Sequence, residues 1–182
     1  MSQPVAAPIV VLDSSVLVPY WSRISLQRAA QSGHIQFTPI WSEWIIAESW
    51  RVLTWRWAAQ HGRIDASEWR TLSVNANDML RRLISVMTLV SIRDYQGAPP
   101  WTGIRDPDDV PIWETAIVAG AQYVISHNVS DFPPLVSGRH VHTGIEYLTA
   151  TEFIEDILHT NVEALYGASL PSGSTISSRR SR

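Results

Sequence analysis

The chain has 182 residues, of which 45% are hydrophobic and 17% charged. That balance suits one packed domain and excludes wholesale disorder. It contains no cysteine, which excludes thiol catalysis, disulfides and cysteine-ligated zinc or iron–sulfur centres, and all 14 basic residues are arginine, which excludes lysine Schiff-base chemistry and a phosphate loop ending in Gly-Lys-Ser or Gly-Lys-Thr.

Arg179, Arg180 and Arg182 sit at the very end, so the remainder holds 11 arginines against 17 acids, a net charge near −6. A binder of phosphate backbones usually presents a basic surface; this body does not. An acidic site can still meet nucleic acid when bound cations reverse the local field. No apolar run approaches the roughly 20 residues of a membrane span, so no membrane partner is expected. Met1–Pro8 shows no secretory leader, and the expected compartment is the cytoplasm.

In chain order, Ile9–Leu12 reads Ile-Val-Val-Leu, a short strand buried on both faces of a parallel sheet, ended by Asp13-Ser14-Ser15. Helical signals follow at Val16–Tyr20 and Ser25–Ala30, closed by Gly33. Ile35–Thr38 is the expected second strand, with Pro39 after it. From Ser42 to Trp57 a helix is expected, its buried face carrying Ile46, Ala47, Trp50, Leu53 and Trp57. A second long helix runs from Ala66 to Leu83, with Asp65 as its cap. Met87–Ile92 fits either a strand or a helix end. Gly97–Asp108 reads as a loop. Pro111 suits the first turn of a helix that Gly120 stops after Ala119. Tyr123–Ser126 is a β-branched strand, His127–Pro134 a polar turn, and His140–Thr143 a last edge strand. Thr149 caps a final helix over Thr151–His159, and Pro171–Arg182 reads as a Ser/Arg-rich flexible tail. Strands alternating with helices give an α/β layer with a parallel sheet.

Acids stand at chosen points of this pattern. Asp13 follows the first strand directly, and parallel sheets put their ligand crevice outside the carboxyl ends of the strands. Read alone, it is equally a turn or cap aspartate. Glu48 lies within the tryptophan-rich helix, with Arg51 three positions on as an ion-pair partner. Glu43 is roughly 140° away around that helix at about 100° per residue, too far to share a narrow site. Asp106, Asp108 and Asp109 crowd the entrance of the Pro111 helix. Asp109 leads the apolar line Trp113, Ala116, Ile117, which turns its side chain toward the sheet, whereas Glu114 points elsewhere. Asp131 follows the Tyr123 strand, three residues after Asn128; an Asx-type turn explains it as well as a site does. Brought together, Asp13, Glu48, Asp109 and Asp131 would repel one another unless cations neutralise them. Hard oxygen ligands select Mg2+ or Mn2+, and such ions serve phosphodiester hydrolysis.

The arrangement resembles the PIN-domain nucleases. Ile9-Val10-Val11-Leu12-Asp13-Ser14-Ser15-Val16-Leu17 is similar to the family's first strand and first metal-site aspartate. Ala47-Glu48-Ser49-Trp50-Arg51-Val52-Leu53 resembles the segment that supplies the second acid. Asp106-Pro107-Asp108-Asp109-Val110-Pro111, running on to Gly120-Ala121, is similar to the segment of the third, with Asp109 in its place. Tyr123-Val124-Ile125-Ser126-His127-Asn128-Val129-Ser130-Asp131 resembles the closing strand and turn, where Asp131 takes the fourth acidic place and Asn128 a polar one. The resemblance spans roughly Ile9–Phe153 and is nearest to bacterial toxin-type (VapC-like) ribonucleases of toxin–antitoxin pairs.

It implies a three-layer α/β/α sandwich with a mostly parallel central sheet, and a magnesium- or manganese-dependent endoribonuclease. RNA would be the substrate, an antitoxin protein the partner, and a homodimer the assembly. It also implies a metal set of Asp13, Glu48, Asp109 and Asp131, supported by Ser14, Ser15 and Asn128, with cleavage leaving a 5′ phosphate and a 3′ hydroxyl. His127, the one histidine near this set, is expected to be a turn residue. The domain boundaries that follow are 1–167 for a single PIN-like domain, with a helical extension within 62–107, and 168–182 for the tail. That extension and tail depart from compact toxins, which leaves open a PIN nuclease outside any toxin pair. A protein-binding module with purely structural acids is the rival of another class; it predicts acids too dispersed to share ions. An aspartyl-phosphate enzyme is disfavoured, because Ser15 stands two positions after Asp13 where a second aspartate is wanted. The nine tryptophans exceed what a core this small hides. Trp41, Trp44, Trp50, Trp55, Trp57 and Trp69 offer a surface for an antitoxin helix or a second copy, with base stacking ranked behind.

Overall fold

A computed structural model describes residues 7–31, 37–62, 64–97, 104–161 and 164–165. The expected turn at Gly33, the start of the expected strand at Ile35 and the tail 168–182 lie outside these residues, as do 98–103 of the expected loop. Among the described residues, seven strands form one sheet. In chain order they are β1 (Ile9–Leu12), β2 (Thr38–Ser42), β3 (Thr88–Val90), β4 (Tyr123–Ile125), β5 (Leu135–Val136), β6 (Arg139–His142) and β7 (Ile145–Leu148). Their order across the sheet is β3-β2-β1-β4-β7-β6-β5. The first five of that order run parallel; β6 runs against them, and β5, antiparallel to β6, runs with them again. The helices are α1 (Ser14–Leu17), α2 (Tyr20–Gln31), α3 (Glu43–His61), α4 (Ala66–Ile84), α5 (Val110–Ala119) and α6 (Ala150–Glu152), the last continued by a π-type turn over Phe153–Ile157. The whole is a three-layer α/β/α sandwich around a mostly parallel sheet.

Side-chain alternation along β4 shows the two covering layers. Val124 lines a notch with Ile112 of α5 on one face, and Tyr123 packs on Phe153 on the other, ring centres 5.9 Å apart. Val10, Val11, Val124 and Ile125 are fully buried between them, as strands covered on both faces must be. The chain leaves β1 toward β2 and β3 on one side, then returns to β4 on the other. That reversal puts a crevice at the carboxyl ends of β1 and β4, where Asp13 and Ser126 follow their strands.

Three regions differ from the sequence expectation. The second strand is Thr38–Ser42 and contains Pro39, which the reading by residue type had placed after it. Thr38 donates its N–H to Pro8 on the β1 side, so the next N–H faces away from β1. There β3 has not yet begun, since its first partner is Ile40, and the missing proline donor costs no ladder bond. The buried line of α3 is Ile45, Ser49 and Leu53, rotated from the expected face. Ala47 is exposed, and Ile46 and Trp50 are half-buried, with Trp50 edge-on to Trp69 of α4 at 6.2 Å. The third difference is at the C-terminal side. The expected edge strand lies inside the sheet between β5 and β7, and β7 was not anticipated. The final helix is a single turn, which the π-type turn then continues.

Other local readings hold. Asp65 caps α4 by accepting from Ser67 N at 2.7 Å and Glu68 N at 2.9 Å, while Glu68 accepts from Asp65 N, a capping box. Thr149 and Glu152 form the same device at α6. Gly120, at φ +64°, closes α5 in the left-handed conformation that glycine adopts without a Cβ penalty. Within Met87–Ile92, Thr88–Val90 forms a strand, β3.

Candidate active site

Asp13 is 5% exposed and is fixed before any ligand arrives. Its backbone N–H donates to Ile125 O at 3.0 Å, tying the end of β1 to the end of β4. Its carbonyl accepts from Val16 and Leu17 and so starts α1. Three hydroxyls donate to its carboxylate: Ser14 Oγ at 3.2 Å, Ser15 Oγ at 2.6 Å and Ser126 Oγ at 2.8 Å. The last two hydroxyls are 3.1 Å apart and in turn accept from the His127 and Asn128 backbone N–H groups. The loop after β4 is thus bolted to the loop after β1 through one carboxylate.

Glu48 comes from the second turn of α3 and Asp109 from the entrance of α5. Together with Asp13, Ser14, Ser15, Asp106, Asp108, Arg56, His127 and Asn128 they line a cleft of about 420 Å³. Burial, and then the charge of Asp13, push the Glu48 carboxyl above its ordinary range, with Ser14 and Arg51 partly offsetting this. Arg51 pairs with one Glu48 oxygen at 3.7 Å, while Oε2 is buried with no partner. Asp109 goes further, to about 7, first through burial and then through Asp13, Asp106, Asp131 and Glu48. The Asp106 side chain accepts from Asp108 N at 3.0 Å and so shapes the approach to α5. Glu43 is turned away, as its position on the helix requires: it accepts from Ser91 Oγ at 3.0 Å and pairs with Arg93 at 3.6 Å.

Asp131 occupies an adjoining notch that shares Asp109 and Asn128 with the cleft and is further lined by Ser126 and Tyr147. Asn128 Nδ2 donates to Asp131 Oδ2, and Ser130 Oγ donates to Asn128 Oδ1 at 3.1 Å. Burial, then Asp109 and Asp13, drive the Tyr147 hydroxyl well above its usual pKa. Burial lowers that of His127, whose ring leans on Trp21. The donor set is all oxygen, and its mutual repulsion is the kind a hard divalent cation relieves; the orphaned Glu48 oxygen points to the same need. In chemistry the residues fit Mg2+ or Mn2+. Among the described residues, no three Asp, Glu or His side chains converge closely enough to hold one ion.

A PIN-domain family model matches residues 9–130, from the start of β1 to one residue short of Asp131. The chain belongs to the PIN-domain family. It is also similar to a solved structure of VapBC2 from Rickettsia felis bound to a DNA fragment from their promoter, at 14% identity and a TM-score of 0.45, over 78% of this chain and 98% of that one. No curated protein matches the chain.

The PIN fold thus brings Asp13, Glu48 and Asp109 to one cleft, with Ser14, Ser15 and Asn128 beside them, and sets Asp131 in the notch next door. Sequence reasoning missed Ser126, whose hydroxyl joins Asp13 to the loop after β4. Its signal was available: it stands directly after β4 as Asp13 stands after β1, and the two strands are parallel neighbours with Leu12 opposite Ile125. It also missed the Ser42–Thr115 bond of 2.8 Å, which is buried and pins α5 to the end of β2.

Proposed function

We propose that this PIN-domain chain is a divalent-metal-dependent endoribonuclease that hydrolyses RNA phosphodiester bonds, and that it acts in the cytoplasm as the toxin of a toxin–antitoxin pair. The observation that carries the reading is the shared cleft of Asp13, Glu48 and Asp109, three carboxylates from distant segments, in which burial and the charge of Asp13 raise the proton affinity of Glu48 and Asp109. Family membership supports the same chemistry.

Mg2+ or Mn2+ would be held by Asp13, Glu48, Asp109 and Asp131. When bound, such an ion neutralises charge on the phosphate and lowers the pKa of the attacking water. The protein's own residues do the rest. Ser15 and Ser126 keep the Asp13 carboxylate in one orientation, as outer hydrogen bonds commonly do for metal-site ligands. Asn128 orients Asp131. Arg56, on the wall of the cleft, meets an RNA phosphate with a planar guanidinium. On α3 and α4, the exposed rings of Trp55 and Trp69 supply the aromatic surface for an antitoxin, or for a second copy in a homodimer.

The test is cleavage of a mixed RNA pool, first without metal and then with Mg2+ or Mn2+, beside the Asp13→Asn protein. Metal-dependent cutting that the variant loses supports the nuclease. The rival, a protein-binding module with structural acids, is favoured by the absence of a closed three-ligand cluster among the described residues. It predicts no cutting by either protein and no Mn2+ binding in calorimetry.

A further inference from the structure

Beside the acidic cleft lies a second, smaller pocket of about 210 Å³, lined by Trp44, Ala47, Glu48, Arg51 and Asp108. Four of these residues follow from one helix. Positions 44, 47, 48 and 51 of α3 recur at i, i+3, i+4 and i+7, which puts them on a single face. The pocket shares Glu48 and Asp108 with the cleft, so the two are continuous. It is smaller than the roughly 300–1,000 Å³ of sites that enclose drug-sized ligands, and it is open to solvent through Trp44, which is 42% exposed. Its lining combines an indole ring, the methyl of Ala47, a guanidinium and the carboxyls of Glu48 and Asp108. The Arg51 side chain is 68% exposed and pairs with Glu48 at 3.7 Å.

We propose that the Trp44–Arg51 pocket is a subsite for one unpaired nucleobase next to the scissile phosphate. Trp44 supplies the stacking face, Arg51 a second planar partner or a phosphate contact, and Asp108 an acceptor for an amino group on the base edge. A base can enter only if it is splayed out of a helix, so the pocket selects single-stranded RNA over duplex. Base stacking ranks behind protein contact for the tryptophans as a group; at Trp44 the nearby arginine and the continuity with the cleft reverse that ranking. The inference rests on the nuclease reading for its position in the reaction, but the binding itself does not need cleavage.

The experiment therefore has two readouts. One is anisotropy of a short fluorescein-labelled single-stranded RNA, and of the same strand annealed to its complement, in EDTA. The other is kcat and KM for cleavage with Mn2+. The proteins are wild type, Trp44→Leu, which keeps apolar bulk but no π-face, and Trp44→Phe, which keeps a ring; circular dichroism confirms that each is folded. Trp44→Leu should weaken single-strand binding about tenfold, leave duplex binding unchanged, and raise KM with kcat held, and Trp44→Phe should restore most of the loss. Unchanged single-strand binding by Trp44→Leu, or an equal loss for duplex, overturns the subsite while leaving the nuclease standing. Stacking loss in EDTA without cleavage under either metal supports the subsite and overturns the nuclease.

Discussion

Asp109 makes a prediction whose sign is unusual for a site residue: in the absence of metal, removing its charge should stabilise the protein. The carboxyl is raised from 3.8 to about 7 by burial and by Asp13, Asp106, Asp131 and Glu48. A native pKa above the unfolded one means that the folded chain holds the proton more tightly. The associated stability is fully present below about pH 3.8, is lost as pH rises, and is gone above about pH 7. At about 1.4 kcal/mol per pKa unit the difference is about 4 kcal/mol. Asp109 is only partly buried, and solvent screening reduces this to about 2 kcal/mol. Asparagine has nearly the same shape and cannot ionise. Asp109 makes no side-chain capping bond to α5, so the substitution gives up none. Asp109→Asn should thus melt about 4–8 °C above wild type at pH 8, at 2–4 °C per kcal/mol for a chain of this size, and the two should coincide near pH 4. Calorimetric melts in EDTA across this range measure it. A variant that melts below wild type at pH 8, or a difference that does not change with pH, would refute the reasoning that the cleft stores carboxylate repulsion.

Further outcomes follow from the same geometry. Mn2+ in EDTA-free buffer should raise the wild-type melting temperature, by about 2.7 kcal/mol of stability at a hundred times its Kd, and raise that of Asp109→Asn much less; equal gains would move the ion elsewhere. Asp13→Asn should abolish metal-dependent RNA cleavage and also cost about 1–3 kcal/mol in a urea melt, because an amide donor then faces the Ser15 and Ser126 hydroxyls. Ser126→Ala leaves the Asn128 N–H and one Asp13 oxygen short of a partner, and Mn2+ titration should show affinity about 10–100-fold weaker. Thr115→Val breaks the buried bond to Ser42; it should cost about 1–3 kcal/mol in urea and leave the Mn2+ affinity as it was.

What could be read from the sequence depended on whether a local signal had a competitor. The Ile-Val-Val-Leu run of β1 has none, and Asp13 came with it. The Asp65 and Thr149 caps were legible because a cap is a contact over three residues. β2 was misplaced because Pro39 argues against a strand, and only the late start of β3 removes that objection. The α3 face was misjudged because its core line includes Ser49, which is fully buried and which no hydrophobic periodicity counts. β7 escaped because Glu146 interrupts its apolar pattern. The turns on either side of β6, Ser137-Gly138 and Thr143-Gly144, have positive φ at both residues; they fit tight hairpins but lack the Asn-Gly or Asp-Gly that announces them.

The site was legible for a different reason, and incompletely. Acids are costly to crowd, so a chain that places them at a strand end, mid-helix, at a helix entrance and after a parallel strand draws attention by their type and position. The hydroxyls that hold them draw none. Serine after a strand is ordinary, and the role of Ser126 exists only because β1 and β4 are parallel neighbours in register. The sequence therefore reveals the charges of such a site more readily than what restrains them. Here the restraint is unequal: Asp13 is gripped by three hydroxyls, whereas Glu48 has one paired oxygen and one without a partner, and Asp109 meets burial first and then repulsion from its neighbours. A cation entering the cleft would find one carboxylate already oriented and two that gain most from its charge. Affinity should thus depend more on Asp109 and Glu48, and orientation for catalysis more on Asp13 and Ser126. Comparing Mn2+ affinity with cleavage rate across Glu48→Gln, Asp109→Asn and Ser126→Ala separates the two: the first pair should fall mainly in affinity, and at saturating metal Ser126→Ala alone should still be slow. If all three recover full rate at saturating metal, the hydroxyl grip on Asp13 has no role in the reaction beyond stability and Mn2+ affinity.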